Sequence, residues 1–244
     1  MKALIFAAGL GTRLKPLTDT IPKALVPING KPLLEHVILK LKDAGFSEII
    51  VNVHHFPDQI IDFLKKKNNF DILIKISDER NNLLDTGGGI KHTEHFFSDG
   101  NPFLVHNVDI LSNIDLKELY NFHCNQAKSL TTLVVSKRDT YRYLLFNDDN
   151  NLCGWINEKT LETKPIPHLN PNDYNKLAFS GIQVISPRIF DIMKNYEDKF
   201  PIVDFYLQNC QTQKIIGYIP ENLQMMDVGK INVLSEAEEF LLNF

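Results

Sequence analysis

Two glycines and two cationic residues lie in the segment that follows the first apolar run of the chain. Gly9 and Gly11 come directly after that run, Arg13 follows two positions later, and Lys23 comes after Pro22. Closely spaced glycines let a backbone turn sharply and aim its N–H groups at phosphate oxygens. Arginine offers a planar fork for phosphate, whereas lysine offers a mobile point charge. The segment indicates a phosphate-binding loop, and for this pattern taken alone a solvated glycine-rich loop is the alternative.

The spacing of this segment differs from two common phosphate-binding loops. It contains no G-x-x-x-x-G-K-[ST] string, so it is not a P-loop. Leu14 occupies the place of the third glycine in a dinucleotide-binding G-x-G-x-x-G string, and no acidic residue ends the second predicted strand. A nicotinamide-dependent oxidoreductase is therefore disfavoured.

Two aspartates from distant parts of the chain have the surroundings of metal ligands. Asp109 follows a predicted strand, and Asp227 precedes Gly229 and the last predicted helix. Mg²⁺ binds one or two protein carboxylates together with phosphate oxygens, so the two aspartates suit that ion if they converge. A turn or a helix cap is the common alternative role for each of them.

Strands and helices alternate in the first half of the chain. Apolar runs predict strands at 2–7, 48–53, 71–77 and 102–106. Periodicity predicts helices over 31–44 and near 57–67, and a glycine-rich turn at 87–89 followed by a helix to Phe97. The alternation predicts an α/β, Rossmann-like fold whose mostly parallel central sheet carries helices on both faces. Because ligands bind beyond the carboxyl ends of such strands, we expect loops 8–23, 85–90 and 107–112 to form one cleft.

The second half of the chain is richer in strands. We expect strands at 130–136, 142–146, 151–157, 177–185 and 214–219, and helices near 187–195, 201–210 and 230–242. Three prolines make 160–175 an irregular loop or lid. No repeat or Gly/Ser-rich linker divides the chain, which predicts a single domain over 1–244.

Charge and cysteine content exclude several classes of protein. The formal net charge is -4 without a block of like charges, which disfavours nucleic-acid and membrane-surface binding. The three cysteines are far apart, which favours reduced thiols over a disulfide framework. The N-terminal apolar run is too short for a signal sequence or a membrane span, so we expect a cytoplasmic protein.

The glycine-rich segment resembles a known family signature. Its string AAGLGTRLKPLT, followed by PKAL, is similar to that of the sugar-1-phosphate nucleotidyltransferases, and further motifs follow in the family's order over nearly the whole chain. The resemblance implies an enzyme of nucleotide-diphospho-sugar transferase fold that uses Mg²⁺. It implies transfer of a nucleoside monophosphate from an NTP to a sugar 1-phosphate with release of pyrophosphate. Residues 1–136 then mainly bind the nucleotide, and 137–244, with the strand-rich portion, mainly bind the sugar phosphate.

The resemblance also implies roles for individual residues. Arg13 and Lys23 would act catalytically on the phosphates, and Asp109 and Asp227 would hold the metal. The residues implied for nucleotide binding are Ala7, Ala8, Gly9, Gly11, Thr12 and Gly88, and those for the sugar phosphate are Glu158, Lys159, Ser180 and Gly181. Two positions depart from the family pattern, since Val108 replaces a small residue before Asp109 and Thr160 replaces a frequent proline.

The identity of the two substrates stays open at the level of sequence. The strings LDTGGGI and FSGI favour UTP with N-acetylmuramate 1-phosphate, and GTP with mannose 1-phosphate is the next alternative. A phosphocholine-type cytidylyltransferase would need an aromatic cage, for which Trp155, Tyr141 and Tyr143 are the candidates. A non-catalytic nucleotide sensor is disfavoured because both metal-binding aspartates are present.

Overall fold

Short buried runs of the chain form strands and amphipathic segments form helices in the computed structural model, which describes residues 1–165 and 169–242. The strands are β1 Lys2–Phe6, β2 Pro27–Ile28, β3 Lys31–Pro32, β4 Glu48–Val53, β5 Leu73–Asp78, β6 Phe103–Asn107, β7 Ile110–Ser112, β8 Ser129–Ser136, β9 Arg142–Phe146, β10 Leu152–Asn157, β11 Glu162–Lys164, β12 Asn175–Ile185, β13 Lys214–Tyr218 and β14 Met225–Asp227. The α-helices are α1 Leu33–Asp43, α2 Pro57–Lys66, α3 Asp85–His92, α4 Leu116–Asn125, α5 Ile189–Met193, α6 Ile202–Asn209 and α7 Leu234–Leu242.

One ten-stranded sheet runs through the described part of the chain in the order β11-β10-β9-β12-β6-β1-β4-β5, with β8 beside β12 and β13 beside β8. The four strands β6, β1, β4 and β5 are parallel, and Lys2 of β1 pairs with both Glu48 and Phe103. Strand β12 runs antiparallel to β6, β9 and β8, and β10 and β11 continue the antiparallel arrangement beyond β9. Strand β13 runs parallel to β8. The predicted α/β fold is confirmed, with the parallel arrangement confined mainly to the first half.

Helices cover both faces of the sheet, as predicted. One buried apolar cluster joins the sheet to α1, α4 and α7, and a second joins it to α3, α5 and α6. Helix α1 shows why the sequence folds in this way, because its apolar positions recur every three or four residues and all face the sheet. Those fully or nearly fully buried positions are Leu33, Leu34, Val37, Ile38 and Leu41.

Several predicted loops contain more structure than expected. The segment between β1 and α1 holds three short 3-10 turns and the β2–β3 pairing, and the predicted 160–175 lid holds β11 and another 3-10 turn, with residues 166–168 outside the described residues. The predicted turn at 87–89 was wrong, since all three glycines lie inside α3. Close packing of this helix against neighbouring backbone requires residues without side chains, and the same glycines suggested a turn in the sequence.

Apart from the strands in these loops, the sequence analysis missed three further elements, and two of them shape the cleft. Strands β7 and β14 have three residues each, too few to show a period, and they pair antiparallel across a long sequence separation. Helix α4 had a readable signal, because the side chain of Asp115 accepts a hydrogen bond from the N–H of Glu118 at 2.8 Å as an N-cap. No helix within residues 1–165 and 169–242 has the length and hydrophobicity of a membrane span.

Candidate active site

A cavity of about 430 Å³ opens at the carboxyl ends of the four parallel strands. The loops after β1 and β6 and the start of α3 meet there, as the sequence predicted. Its walls are formed by Phe6, Ala7, Ala8, Gly9, Lys23, Asn52, Glu79, Leu83, Asp85, Thr86, Asn107, Val108, Asp109 and Lys199. The cavity therefore contains residues from the phosphate-loop motif and one of the two predicted metal ligands.

Asp109 and Asp227 are brought together by the pairing of β7 with β14. Asp227 lies opposite Ile110 in this pairing, and the N–H of Val228 donates to the carbonyl oxygen of Asp109 at 2.8 Å. Burial raises the pKa of Asp227, and the negative charge of Asp109 raises it further. Two buried carboxylates this close repel each other, and a divalent cation between them relieves that repulsion.

Two cations approach this pair of aspartates. The ammonium of Lys23 forms an ion pair with Oδ2 of Asp109. The guanidinium of Arg13 lies against Gly229. A Cβ added to Gly229 would lie 2.6 Å from Nη2 of Arg13 and 2.6 Å from Oδ1 of Asp227. The absence of a side chain at Gly229 therefore gives Arg13 room beside Asp227, and both cations oppose the rise in the pKa of Asp227.

The aspartate pair suits a hard divalent cation. No group of three or more His, Cys, Asp and Glu side chains converges on a metal-binding point within 1–165 and 169–242. A metal held by Asp109 and Asp227 would take its other ligands from phosphate oxygens and water, which is how magnesium is commonly bound beside phosphates.

The loop after β1 leaves backbone donors unused. Gly11 has a φ of 66°, and an added Cβ would lie 2.7 Å from Cγ2 of Thr18, so glycine is required there. Its carbonyl oxygen accepts from the hydroxyl of Thr18 at 2.8 Å, which holds the loop closed. Within the described chain, the N–H groups of residues 9–11 donate to no other residue. They are available to an anion, whereas Thr12 is exposed at the start of a 3-10 turn.

Ala7 and Ala8 line the cavity, but their N–H groups are already bound. Both donate to Oδ1 of Asn52, at 2.7 and 3.2 Å. These two residues can therefore contact a nucleotide through their surfaces and carbonyl groups. Backbone N–H groups that bind phosphate would therefore come from residues 9–11.

Val108 does not disturb the site although it is larger than the family pattern expects. Its side chain is buried in the apolar cluster on the α1 face, and its N–H donates to the carbonyl oxygen of Phe6 at 3.1 Å. This bond continues the β1–β6 pairing by one residue. Asp109 still reaches the cavity.

Gly88 is not brought to the cleft. It lies in α3, where its N–H donates to the carbonyl oxygen of Phe200 at 3.3 Å and an added Cβ would overlap the carbonyl oxygen of Asp198. It lines a different cavity, of about 770 Å³, on the α5 side of α3. The predicted contact of Gly88 with a base therefore gains no support, and Leu83, Asp85 and Thr86 form this wall instead.

Ser180 and Gly181 lie at the edge of the cleft. Gly181 has a φ of 73°, and an added Cβ would lie 2.7 Å from Nδ2 of Asn107, which itself lines the cavity. Ser180 is 2% exposed, and its Oγ has no hydrogen-bond partner among the described residues. Asn107, the last residue of β6, therefore lies against Gly181, which was predicted to bind the sugar phosphate.

Glu158 and Lys159 lie farther along the antiparallel half, on the turn after β10. Oε1 of Glu158 accepts from the ammonium of Lys176 at 2.9 Å, and the ammonium of Lys159 lies 3.8 Å from the centre of the Tyr141 ring. Neither residue lines the 430 Å³ cavity. Their role in binding a sugar phosphate stays a prediction.

The candidate aromatic cage is occupied by the protein's own cations. Lys159 lies over Tyr141, and the ammonium of Lys164 lies 5.4 Å from the centre of the Trp155 ring. The hydroxyl of Tyr143 accepts from the N–H of Thr140 at 3.2 Å. This arrangement disfavours a choline-binding cage.

Asn52, Glu79 and Lys199 line the cavity and were missed by the sequence analysis. Asn52 and Glu79 are 2% and 3% exposed, which is unusual for polar and charged side chains. A polar residue near the carboxyl end of a predicted parallel strand is the signal that could have found Asn52. Nothing in the local sequence distinguishes Lys199, whose position depends on the packing of α3 against the segment before α6.

Known proteins share this sequence and architecture. The family described as Nucleotidyl transferase matches residues 2–243. The N-acetylmuramate alpha-1-phosphate uridylyltransferase of Neisseria meningitidis serogroup B is 36% identical over 193 residues, which cover 78% of this chain and 78% of that protein. A probable mannose-1-phosphate guanylyltransferase of Oryza sativa subsp. japonica is 32% identical over 196 residues, covering 78% of this chain and 51% of that protein.

A solved structure agrees with these relatives. HddC from Yersinia pseudotuberculosis, crystallised in complex with GMP-PN, superposes with a TM-score of 0.77 at 26% identity, over 98% of this chain and 99% of that chain. The family match and the superposition each span nearly the whole chain, including the loops that form the cleft. The chain therefore belongs to the nucleotidyl transferase family, as its resemblance predicted.

Proposed function

We propose that the protein transfers a nucleoside monophosphate from an NTP to a sugar 1-phosphate and releases pyrophosphate, with Mg²⁺ as cofactor, in the cytoplasm. The observation that carries the proposal is the convergence of Asp109 and Asp227 beside Lys23 and Arg13, which belong to the segment after β1. The relatives named as sugar-1-phosphate uridylyltransferase and guanylyltransferase support the same reaction class.

The geometry suits a reaction between two polyanions. A sugar phosphate oxygen is already an anion and attacks the α-phosphorus of the NTP, so no protein base is needed. The task of the protein is to position both substrates and to stabilise the charge that develops on the leaving pyrophosphate. In this proposal Arg13 and the free N–H groups of residues 9–11 would bind the β- and γ-phosphates, and Lys23 would bind the α-phosphate.

Mg²⁺, when bound, supplies positive charge that neutralises phosphate oxygens. Asp109 and Asp227 would hold it, and Lys23, which pairs with Asp109 in this structure, would then be released toward phosphate. Lys199 adds a second ammonium to the same cavity. With Mg²⁺ held by the two aspartates, the cation and the two ammonium groups would lie near the negative charge of the substrates.

The preferred substrate pair is UTP with N-acetylmuramate 1-phosphate. It is supported by the uridylyltransferase of Neisseria meningitidis and by a second one, of Caulobacter vibrioides, that is 44% identical over 109 residues and covers 44% of this chain and 45% of that protein. GTP with mannose 1-phosphate is the second candidate, because a guanylyltransferase relative and the HddC complex with GMP-PN point to guanine nucleotides.

The test is a coupled assay of pyrophosphate release with each of the four NTPs against a panel of sugar 1-phosphates, in Mg²⁺ and in EDTA. Phosphocholine is included as the acceptor of the competing cytidylyltransferase reaction. We expect release that requires both substrates and the metal, with formation of a nucleotide sugar. Release that needs no sugar phosphate, or turnover only with phosphocholine, would contradict the proposal.

A further inference from the structure

A cavity of about 600 Å³ lies over the antiparallel half of the sheet, between strands β9 to β11 and helix α6. It adjoins the 430 Å³ cavity at two segments of the chain. Lys199 lines the smaller cavity, and Pro201, two residues later, lines the larger one. Phe179 lines the larger cavity, and Gly181, two residues later, lies against Asn107 of the smaller one. A ligand in the 430 Å³ cavity can therefore extend into the 600 Å³ cavity.

Two guanidinium groups on the wall of the 600 Å³ cavity have no carboxylate partner. They belong to Arg138 and Arg142, and neither forms an ion pair with an aspartate or glutamate among residues 1–165 and 169–242. Nη2 of Arg138 donates to the carbonyl oxygen of Phe179 at 3.0 Å, and the side chain of Arg142 donates to no residue in the same part of the chain. Most of their N–H donors are therefore available to a ligand.

The two carboxylates of the cavity wall are paired with a different cation. The ammonium of Lys164 lies 3.3 Å from Oδ1 of Asp204 and 3.9 Å from Oε1 of Glu162. These acids compensate Lys164 and do not reach the arginines. The charge that the wall leaves uncompensated is therefore positive, and it belongs to Arg138 and Arg142.

The strand pairing brings both arginines to one residue, Phe179. Strand β12 pairs with β9 in an antiparallel register in which Leu177 lies opposite Leu144, and the same register two residues further sets Phe179 opposite Arg142. Arg138 reaches the carbonyl oxygen of Phe179 from the segment before β9. The two guanidinium groups can therefore bind one anion together, and a planar guanidinium matches the two oxygens of a carboxylate.

The distance from the aspartate pair to these arginines suits a phosphorylated sugar. Asp109 follows β6 and Arg142 begins β9, and the sheet order β9-β12-β6 places two strand spacings between them. At about 4.8 Å per spacing the separation across the strands is roughly 10 Å. A pyranose whose 1-phosphate lies near Asp109 can span this distance with a substituent on its far side.

We propose that Arg138 and Arg142 bind a second anionic group of the acceptor, a carboxylate carried on the sugar away from its 1-phosphate. The inference rests on the proposed function and goes beyond it by assigning the choice of acceptor to two residues. N-acetylmuramate 1-phosphate carries such a carboxylate on its lactyl ether, whereas mannose 1-phosphate and N-acetylglucosamine 1-phosphate carry none. A charge-assisted hydrogen bond of this kind changes affinity by about 10- to 100-fold.

The first experiment uses calorimetry in Mg²⁺ to compare two nucleotide sugars, UDP-N-acetylmuramate and UDP-N-acetylglucosamine. They differ only in the lactyl ether and its carboxylate, and they carry the same base, so any preference for a base cancels from the ratio of affinities. The methyl ester of UDP-N-acetylmuramate keeps the ether and removes the charge. We expect the free acid to bind at least about 10-fold more tightly than the other two compounds. Equal affinity of the acid and its ester overturns the proposal.

This binding experiment separates the inference from the proposed function, because no turnover is involved. A protein that prefers the free acid but forms no nucleotide sugar from any acceptor contradicts only the proposed function. A protein that forms a nucleotide sugar but binds the acid no better than its ester contradicts only the assignment of the two arginines.

The double variant Arg138→Gln with Arg142→Gln removes both charges. Both side chains are exposed, so the fold should tolerate glutamine. We expect the ratio of affinities for the free acid and its ester to fall about 10- to 100-fold, toward one. A purely structural role would weaken both compounds equally, and an unchanged ratio overturns the proposal. Arg188→Gln is the matched control and should keep the wild-type ratio, because Arg188 is exposed, donates to the carbonyl oxygen of Lys128 and lies outside the 600 Å³ cavity.

A salt titration of the wild-type protein covers the case in which the double variant does not fold. An exposed ion pair between the arginines and the ligand is screened as the salt concentration rises. We expect the ratio of affinities for the free acid and its ester to fall between low salt and about 1 M NaCl, where the screening length is about 3 Å. A ratio that does not change with salt would show that the lactyl group is recognised without its charge, which overturns the proposal.

Discussion

Asp227 lies beside Asp109 because the strand that ends in Asp227 pairs with the strand that begins at Ile110. The N–H of Val228 donates to the carbonyl oxygen of Asp109 at 2.8 Å, which fixes the backbone of one aspartate to that of the other. The relationship depends on two strands of three residues each. This pairing brings two carboxylates close together, with Lys23 beside Asp109 and Arg13 near Asp227.

Replacing Arg13 by alanine is expected to lower kcat by about 10²- to 10³-fold, the usual effect of losing one donor that stabilises a transition state. Arg13 is exposed in the 3-10 turn that follows Gly11, so the free energy of unfolding should not change. Steady-state kinetics and thermal unfolding check both statements. Turnover near that of the wild type would remove Arg13 from the reaction.

Replacing Gly229 by alanine is expected to act through Arg13 and Asp227. The new Cβ would lie 2.6 Å from Nη2 of Arg13 and 2.6 Å from Oδ1 of Asp227, so both side chains must move. We expect a loss of kcat, and we expect the loss in the double variant with Arg13→Ala to be smaller than the sum of the two single losses. A double-mutant cycle measures this, and additive losses would show that Gly229 acts independently of Arg13.

Replacing Gly88 by alanine is expected to affect stability. Alanine favours a helix over glycine by up to about 1 kcal/mol, but its Cβ would overlap the backbone oxygen of Asp198, and such overpacking costs about 1–3 kcal/mol. The net result should be a lower free energy of unfolding with little change in the KM for the NTP once the protein is folded. A raised KM without a loss of stability would restore the base contact predicted from the sequence.

Acid should destabilise the protein through buried histidines. Burial lowers the pKa of His123 to about 4, and the charge of Arg188 lowers it further. The unfolded chain takes up a proton near pH 6.5 and the folded protein only near pH 4, so stability present above pH 6.5 is lost as the pH falls through this window. His106, which is fully buried, acts in the same direction.

Replacing His123 by glutamine should reduce the slope of unfolding free energy against pH in this window by up to about 1.4 kcal/mol per pH unit, the value for one proton. Glutamine can keep a hydrogen bond to Oγ1 of Thr132, which His123 makes at 2.8 Å. Denaturant unfolding at several pH values measures the slope. His95→Gln, on an exposed histidine, is the control, and an equal effect of both substitutions would exclude the buried ring as the cause.

The sequence predicted the parts of the fold that depend on local patterns. Buried apolar runs identified the four parallel strands, and the periodicity of α1 identified its buried face. Because parallel strands end at one edge, the loops carrying Gly9 and Asp109 could be expected in one cleft without any long-range information.

The remaining parts depend on contacts that no local pattern encodes. The β7–β14 pairing joins distant segments, so the convergence of Asp109 and Asp227 was a hypothesis based on family resemblance until the pairing was seen. The role of Asn52 depends on hydrogen bonds to Ala7 and Glu79 from three different strands or their ends. The three glycines of α3 were predicted to form a turn. The structure shows that they allow close packing against the backbone of Phe200, and this contact cannot be predicted from the sequence of the segment alone.

The most direct test measures Mg²⁺-dependent pyrophosphate release by Asp227→Asn and Asp109→Asn, with NTP, a sugar 1-phosphate and thermal unfolding followed in parallel. Asp191→Asn, an exposed aspartate that pairs with Lys194, serves as the control. If the two carboxylates jointly hold the cation, each of the first two variants stays folded and loses turnover, while the control remains active. Wild-type turnover by a folded variant of either aspartate would contradict the account.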